Sequence, residues 1–163
     1  MASERGVVVS INRSPGGVPK LPVADARVRA AGLEGDGHRD LRHHGGPDRA
    51  LCLYSMDRIE ALQREGHPIA PGTTGENLTI RSLAWDAVVP GAVLRMGGVT
   101  LEITAYASPC TSIRPSFADL DSNRISQQKH PGWSRVYARV TGDGVVRVGD
   151  TIVLDSSLRA NGD

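Results

Sequence analysis

The sequence has no apolar run of the roughly 20 residues that a membrane-spanning helix requires. Its 19 basic and 18 acidic residues leave a formal net charge of +1 at pH 7, so no overall positive field favours nucleic acid or an anionic membrane as a partner. The first residues, 1–6, also lack the basic and then apolar build of a signal peptide. We therefore expect a cytoplasmic protein that binds neither nucleic acid nor a membrane.

Cysteine and aromatic residues are scarce as well. The two cysteines, Cys52 and Cys110, lie in different contexts, which gives no disulfide framework. Glycine and proline are frequent, at 19 and 10 residues, and favour short elements joined by tight turns. A chain of 163 residues can bury one core. We expect a single domain over residues 1–163, with its core at about residues 7–154 and a polar, frayed tail over 155–163.

Short strands dominate the predicted secondary structure. Alternation and β-branched residues predict strands over 6–12, 23–30, 50–54, 78–80, 92–96, 99–106, 135–140, 145–148 and 151–154. One helix is predicted over 56–65, with Ser55 as its N-cap. Gly97-Gly98 suits a two-residue hairpin turn, and the weakly patterned stretch 117–130 suits either loop or short helix. This pattern favours a mainly β fold, a closed or half-closed barrel.

Cys110 is the first candidate for chemistry. It follows Pro109 at a strand exit and precedes Thr111 and Ser112, and the fixed φ of the proline suits the start of a helical turn. A thiolate held there, near Arg114, could serve as a nucleophile, a persulfide carrier or a soft metal ligand. A small buried residue behind a proline turn fits the position equally well, so both interpretations stay open.

A long polar stretch, 32–49, is the second candidate. It is rich in glycine, histidine, aspartate and arginine. An irregular segment of this length is usually either functional or disordered, so this loop is a candidate wall of a site. It contains enough residues of the types that ligate zinc: His38, His43, His44, Asp36, Asp40 and Asp48. Their spacing is not a familiar zinc pattern. The alternative is one histidine that contacts an anion or shuttles a proton.

Other residues have a structural and a functional interpretation each. Cys52 is predicted to pack in the core, because apolar residues flank it in a strand. Glu76-Asn77, at a loop-to-strand boundary, either caps backbone donors or orients a loop or ligand. Arg135, Tyr137 and Arg139 alternate on one strand face, which faces either solvent or an anionic ligand.

Five motifs occur in order along nearly the whole chain: Val9-Ser10-Ile11-Asn12, Gly35-Asp36-Gly37-His38, His44-Gly45-Gly46-Pro47-Asp48-Arg49-Ala50, Gly75-Glu76-Asn77-Leu78 and Ser108-Pro109-Cys110. Together they resemble the MOSC domain, named for the C-terminal domain of molybdenum cofactor sulfurase. The resemblance implies a β-barrel-like domain with a few short helices. It also implies that Cys110 is the functional centre.

The resemblance implies two kinds of activity. In one, Cys110 ligates the molybdenum of a pterin cofactor and N-hydroxylated or related small molecules are reduced, with electrons from a separate donor. In the other, Cys110 carries sulfur as a persulfide during cofactor maturation, with a cysteine desulfurase as partner. A third hypothesis is a metal-free or zinc-dependent enzyme with His38 or His44 as base.

The leading hypothesis is the molybdenum-pterin oxidoreductase. Cys110 is then both metal ligand and catalytic group, and His44 is the second catalytic candidate. The expected cofactor-binding residues are His43, Arg49, Asn77 and Arg135. In this scheme basic groups hold the cofactor phosphate, and Asn77 sets the orientation of the centre.

Overall fold

A computed structural model describes residues 4–37 and 46–155. The strands among these residues are β1 Arg5–Arg13, β2 Leu21–Val23, β3 Asp25–Arg29, β4 Gly32–Leu33, β5 Leu51–Ser55, β6 Leu78–Arg81, β7 Val93–Met96, β8 Val99–Tyr106, β9 Val136–Gly142, β10 Gly144–Arg147 and β11 Thr151–Leu154. The one described α-helix is α1, Met56–Arg64. Short 3-10 turns occupy Pro47–Arg49, Trp85–Ala87, Thr111–Ser116 and Ser122–Ile125.

Seven of the described strands close a barrel in the order β1, β11, β7, β8, β9, β5 and β6. Antiparallel pairing of β1 with β11, which joins Gly6 to Ile152, completes the ring. The parallel pair in the ring, β5 and β6, is connected through α1. The predicted mainly β barrel with a few short helices is therefore confirmed.

The barrel interior is filled by aliphatic side chains from every wall. Ile11, Leu53, Leu94, Leu101 and Val136 are fully buried and belong to one apolar cluster. Their burial supplies the main driving force for closing the barrel. Pairing along the ring also removes the exposed strand edges that an open sheet would leave.

Helix α1 forms where it was predicted. Ser55 is its N-cap, and the Ser55 side chain accepts a hydrogen bond from the Arg58 backbone N–H at 3.2 Å. Asp57 lies in the first turn, where a carboxylate interacts favourably with the helix dipole. Ile59 and Leu62 face the core. No helix within the described ranges is long and apolar enough to cross a membrane.

Two local predictions differ from the structure. The predicted strand over 23–30 is interrupted at Ala24, because β2 pairs with β1 whereas β3 pairs with β10 in a separate three-stranded sheet. Alternation along the sequence does not show such a change of partner. Asp155, placed in the frayed tail, is held by an ion pair with Arg95 at 3.1 Å. The hairpin at Gly97-Gly98 is confirmed, since Met96 pairs with Val99.

Candidate functional site

Cys110 lies at the exit of β8, as the sequence indicates. The preceding segment is tied to β9 by the Ala107 N–H, which donates to the Arg135 carbonyl at 2.9 Å. Cys110 then takes the cap position of the Thr111–Ser116 3-10 turn. Its Sγ lies 2.8 Å from the Ser112 hydroxyl oxygen. The predicted placement of the thiol at the start of a helical turn is therefore confirmed.

The Cys110 side chain is neither fully buried nor fully exposed. It opens on a cavity of about 390 Å³ whose walls include Arg114, Asp121 and Asn123. The barrel therefore holds this thiol at the edge of a polar space large enough for a small molecule.

Arg135 directly precedes β9 and is only 4% exposed. Its Nη1 donates to the Thr74 carbonyl at 2.7 Å and its Nη2 to the Ser108 carbonyl at 3.1 Å. The Nε atom is buried and finds no hydrogen-bond partner among the described residues. Since a buried cation is costly unless its donors are satisfied, this guanidinium is suited to an anionic ligand.

A second small cluster lies beside Arg135, outside the main core. Cys52 pairs with Tyr137 across β5 and β9, and both side chains pack with Ala107. The prediction that Cys52 packs in the core is confirmed, and the structure adds that it belongs to this smaller cluster. Leu51 and Leu53 point into the barrel, and alternate residues of a strand point to opposite faces.

The electrostatics of this cluster keep its titratable groups neutral. Burial raises the pKa of the Cys52 thiol to about 11, although the Arg135 guanidinium opposes the rise. Burial also raises the pKa of the Tyr137 phenol to about 12. The Arg49 guanidinium covers the Tyr137 ring, with its Cζ 5.3 Å from the ring centre. Arg49 and Arg135 therefore border the same neutral cluster.

At the other end of the predicted strand face, Arg139 is exposed and forms ion pairs. Arg139 is 44% exposed in its side chain and pairs with Asp48 at 3.0 Å and with Glu102 at 3.6 Å. Arg135 contacts the Cys110 segment through the Ser108 carbonyl. Arg139 instead pairs with Asp48, in the 3-10 turn that also carries Arg49. The exposure of Arg139 agrees with the solvent interpretation, and contact of this face with an anionic ligand stays a prediction.

Asn77 connects the strands beneath the site. Its Oδ1 accepts from the Cys52 N–H at 3.0 Å, and its own N–H donates to the Cys52 carbonyl at 2.7 Å. Its Nδ2 donates to the Asn12 carbonyl at 3.1 Å and to Asp36 at 3.0 Å. Asp36 is also paired with Lys20 at 2.7 Å. Asn77 therefore orients the loops through protein contacts, and direct contact with a cofactor stays a prediction.

Sequence reasoning missed how Glu76 and Thr74 support Arg135. The Glu76 carboxylate is fully buried and accepts from the Thr74 hydroxyl at 2.9 Å and the Thr79 hydroxyl at 3.0 Å. Burial raises the pKa of this carboxyl. Thr74 joins the two buried ionisable groups, since its carbonyl accepts from Arg135. A backbone acceptor leaves no mark in the sequence, so this link could not be predicted.

The remaining site predictions fall on His38, His43 and His44, which lie outside the described residues together with Asp40. Their roles as base, cofactor contact or zinc ligand stay predictions. Among residues 4–37 and 46–155, no group of three or more His, Cys, Asp or Glu side chains is placed to hold a metal ion.

Comparison with known proteins agrees with this architecture. The family model of the MOSC domain matches residues 40–153, so the chain belongs to the MOSC domain family. It is 30% identical to the protein YflK of Bacillus subtilis over 143 residues, covering 85% of this chain and 62% of YflK. It is 29% identical to YiiM of Escherichia coli over 160 residues, covering 90% of this chain and 71% of that protein.

A solved structure shows the same fold. The crystal structure of YiiM from Geobacillus stearothermophilus superposes with a TM-score of 0.72 at 28% identity, covering 93% of this chain and 75% of that one. The chain spans less than two thirds of the length of YflK.

Proposed function

We propose that this protein binds a molybdenum-pterin cofactor through Cys110 and reduces N-hydroxylated or related small molecules. The observation that carries the proposal is the buried Arg135 guanidinium. It lacks a hydrogen-bond partner for Nε among the described residues and holds the carbonyl of Ser108, two residues before Cys110. An anionic cofactor beside it would complete a site that the protein leaves incomplete.

The donor set fits such a cofactor. A thiolate is a ligand for thiophilic metals, and Cys110 is the thiol that borders an open cavity. When bound, the molybdenum centre would supply the two-electron chemistry. The protein would hold the anionic parts of the cofactor with Arg135 and Arg49, and the neutral Tyr137 would add no competing negative charge.

The roles of the protein groups follow from their surroundings. Cys110 would be the ligand and Arg135 would hold both the cofactor and the Ser108 carbonyl. His43 and His44 stay candidates for cofactor contact and proton transfer. Electrons would come from a separate donor, and substrate would enter through the cavity beside Cys110.

A sulfur carrier is the second candidate function. Its support is the accessible position of Cys110, next to the Ser112 hydroxyl and open to an approaching persulfide donor. In this role the sulfur of a desulfurase persulfide would transfer to the Cys110 thiolate, and the donor would recover its thiol.

One preparation distinguishes the two functions. The full chain is purified from a host that makes the cofactor, and reduction of benzamidoxime by reduced methyl viologen is followed. Molybdenum-dependent reduction that is lost in Cys110→Ser supports the oxidoreductase. If reduction is absent, and intact-mass analysis after treatment with a cysteine desulfurase and cysteine shows one added sulfur on Cys110, the oxidoreductase proposal is overturned in favour of the carrier.

A further inference from the structure

A groove next to the Cys110 segment shares Pro109 with the polar cavity beside Cys110. Its near part has a volume of about 310 Å³ and is lined by Tyr106, Ser108, Pro109 and Gln127, among others. Its far part, of about 240 Å³, shares Tyr106 and Gln127 and ends at Trp85. We call this space the Tyr106–Gln127 groove.

The charge in the groove differs from that in the cavity beside Cys110. None of the described residues that line the near part carries a charged side chain, whereas Arg114 and Asp121 line the cavity beside Cys110. In the far part, the charged side chain among the described lining residues is Asp86. It is 82% exposed and paired with Arg58 at 3.1 Å. A charged ligand group would therefore find no oppositely charged side chain among the described residues of the near part.

Two polar groups in the groove are available to a ligand. The Gln127 Oε1 accepts from the Gly132 N–H at 3.1 Å, which fixes the amide and leaves Nε2 as a donor. Neither this Nε2 nor the Tyr106 hydroxyl has a hydrogen-bond partner among the residues that the structure describes. The Tyr106 ring and Pro109 add apolar walls, against which a flat molecule can pack.

The wall that carries Gln127 is held in place. Two guanidinium groups lie against the Trp133 ring, with Cζ of Arg58 4.9 Å and Cζ of Arg124 4.2 Å from its centre. The Tyr54 hydroxyl donates to the Trp133 carbonyl at 2.6 Å, and the Arg58 Nε donates to the Gly132 carbonyl at 3.0 Å. Such a preformed wall lowers the entropic cost of binding.

We propose that the Tyr106–Gln127 groove is a binding subsite for neutral, planar molecules with a hydrogen-bond acceptor, and that it selects against charged molecules of the same size. Gln127 Nε2 donates to the acceptor and Tyr106 covers the ring. The subsite itself does not depend on the proposed function. Only the identification of the bound molecule as the substrate of the Cys110 site rests on that proposal.

Three matched probes test the subsite: benzamide, benzoate and benzamidinium. Each is titrated into the full chain as purified, with binding followed by protein NMR at Ser108 and Gln127. Benzamide is expected to bind about fivefold more tightly than either ion, because each ion would lose part of its hydration in a groove without a counter-charge, a cost of about 1 kcal/mol. Equal binding of the three probes, or no binding at these residues, would overturn the proposal.

Gln127→Glu makes the test specific. Glutamate keeps the acceptor for the Gly132 N–H but replaces the amide donor with a carboxylate oxygen, so the order of affinities should shift from benzamide to benzamidinium. Thr151→Glu, an exposed position on β11, adds the same charge away from the groove and should leave the order unchanged. An unchanged order in Gln127→Glu would refute the role of Nε2.

These measurements do not require molybdenum. A chain that binds benzamide in the groove but never carries molybdenum would overturn the proposed function and leave the subsite standing. A molybdenum-containing chain that does not discriminate among the probes would overturn the subsite and leave the proposed function standing.

Discussion

Arg135 holds the turn that carries Cys110: its Nη2 donates to the Ser108 carbonyl at 3.1 Å. The same guanidinium donates to the Thr74 carbonyl at 2.7 Å, so one buried side chain joins the cysteine segment to the glycine-rich loop before β6. The position of Arg135 relative to the Cys110 segment is therefore set by hydrogen bonds to backbone carbonyls rather than by an ion pair.

Arg135→Lys should lower the free energy of unfolding by about 2–3 kcal/mol, because lysine keeps the charge but cannot reach both carbonyls in one plane. Urea denaturation followed by tryptophan fluorescence measures the change. Arg139→Lys, on the same strand but 44% exposed in its side chain, should cost less than about 1 kcal/mol. Equal losses in the two variants would contradict the special role of Arg135.

Asn77→Asp should destabilise the fold by about 2–4 kcal/mol at neutral pH. Aspartate cannot donate to the Asn12 carbonyl, and its charge would face the buried Asp36 carboxylate. The deficit should shrink at mildly acidic pH, where one carboxyl of the pair becomes protonated. Asn123→Asp, at an exposed position, is the control, and a pH-independent deficit at position 77 would speak against the contact.

Glu76 should make stability fall as pH rises. Burial raises the pKa of the Glu76 carboxyl above its ordinary value of 4.5, so at pH values between the unfolded-state pKa and the folded-state pKa the folded state binds more protons than the unfolded state. Wild-type protein should therefore lose stability relative to Glu76→Gln as pH rises through that window. Urea unfolding of both proteins across this pH range checks the sign.

Glu60 provides a control of opposite sign for that experiment. Its hydrogen bond from Arg81 lowers the pKa of the Glu60 carboxyl, so its contribution is present above pH 4.5 and is lost as pH falls. The same slope in Glu60→Gln and Glu76→Gln would contradict the assignment of the buried carboxyl.

Native protein should show one fast-reacting thiol, Cys110. Cys52 is 7% exposed and burial raises its pKa to about 11, so near pH 8 only about one molecule in a thousand carries its thiolate. Ellman's reagent should therefore modify one thiol in the wild type and in Cys52→Ser, and none rapidly in Cys110→Ser. Denaturant should expose the second thiol, and equal native rates for both cysteines would show that Cys52 is not enclosed.

Part of this arrangement could be predicted from the sequence because it is local. Pro109 fixes the approach to Cys110, and Ser55 marks the start of α1 through its side-chain chemistry. Hydrophobic alternation found the strands that fill the barrel. The resemblance to the MOSC domain added the closed fold and singled out Cys110.

The rest depends on contacts that are distant in the chain. Arginine is seldom fully buried, so an Arg135 with backbone carbonyls as partners could not be inferred from an alternating strand. The side to which Cys52 points depends on the register of β5 against β9, and a shift of one residue would reverse it. Ala24 separates two strands only because their partners lie in different sheets.

Molybdenum content tests the central claim most directly. The full chain, Cys110→Ser and Arg135→Met are produced in a cofactor-competent host, passed through size exclusion and analysed by elemental mass spectrometry, with circular dichroism to confirm that each is folded. The account predicts equimolar molybdenum in the wild type and its loss in folded Cys110→Ser, with a reduced amount in Arg135→Met. Wild-type protein free of molybdenum, or Cys110→Ser that retains the full amount, would contradict it.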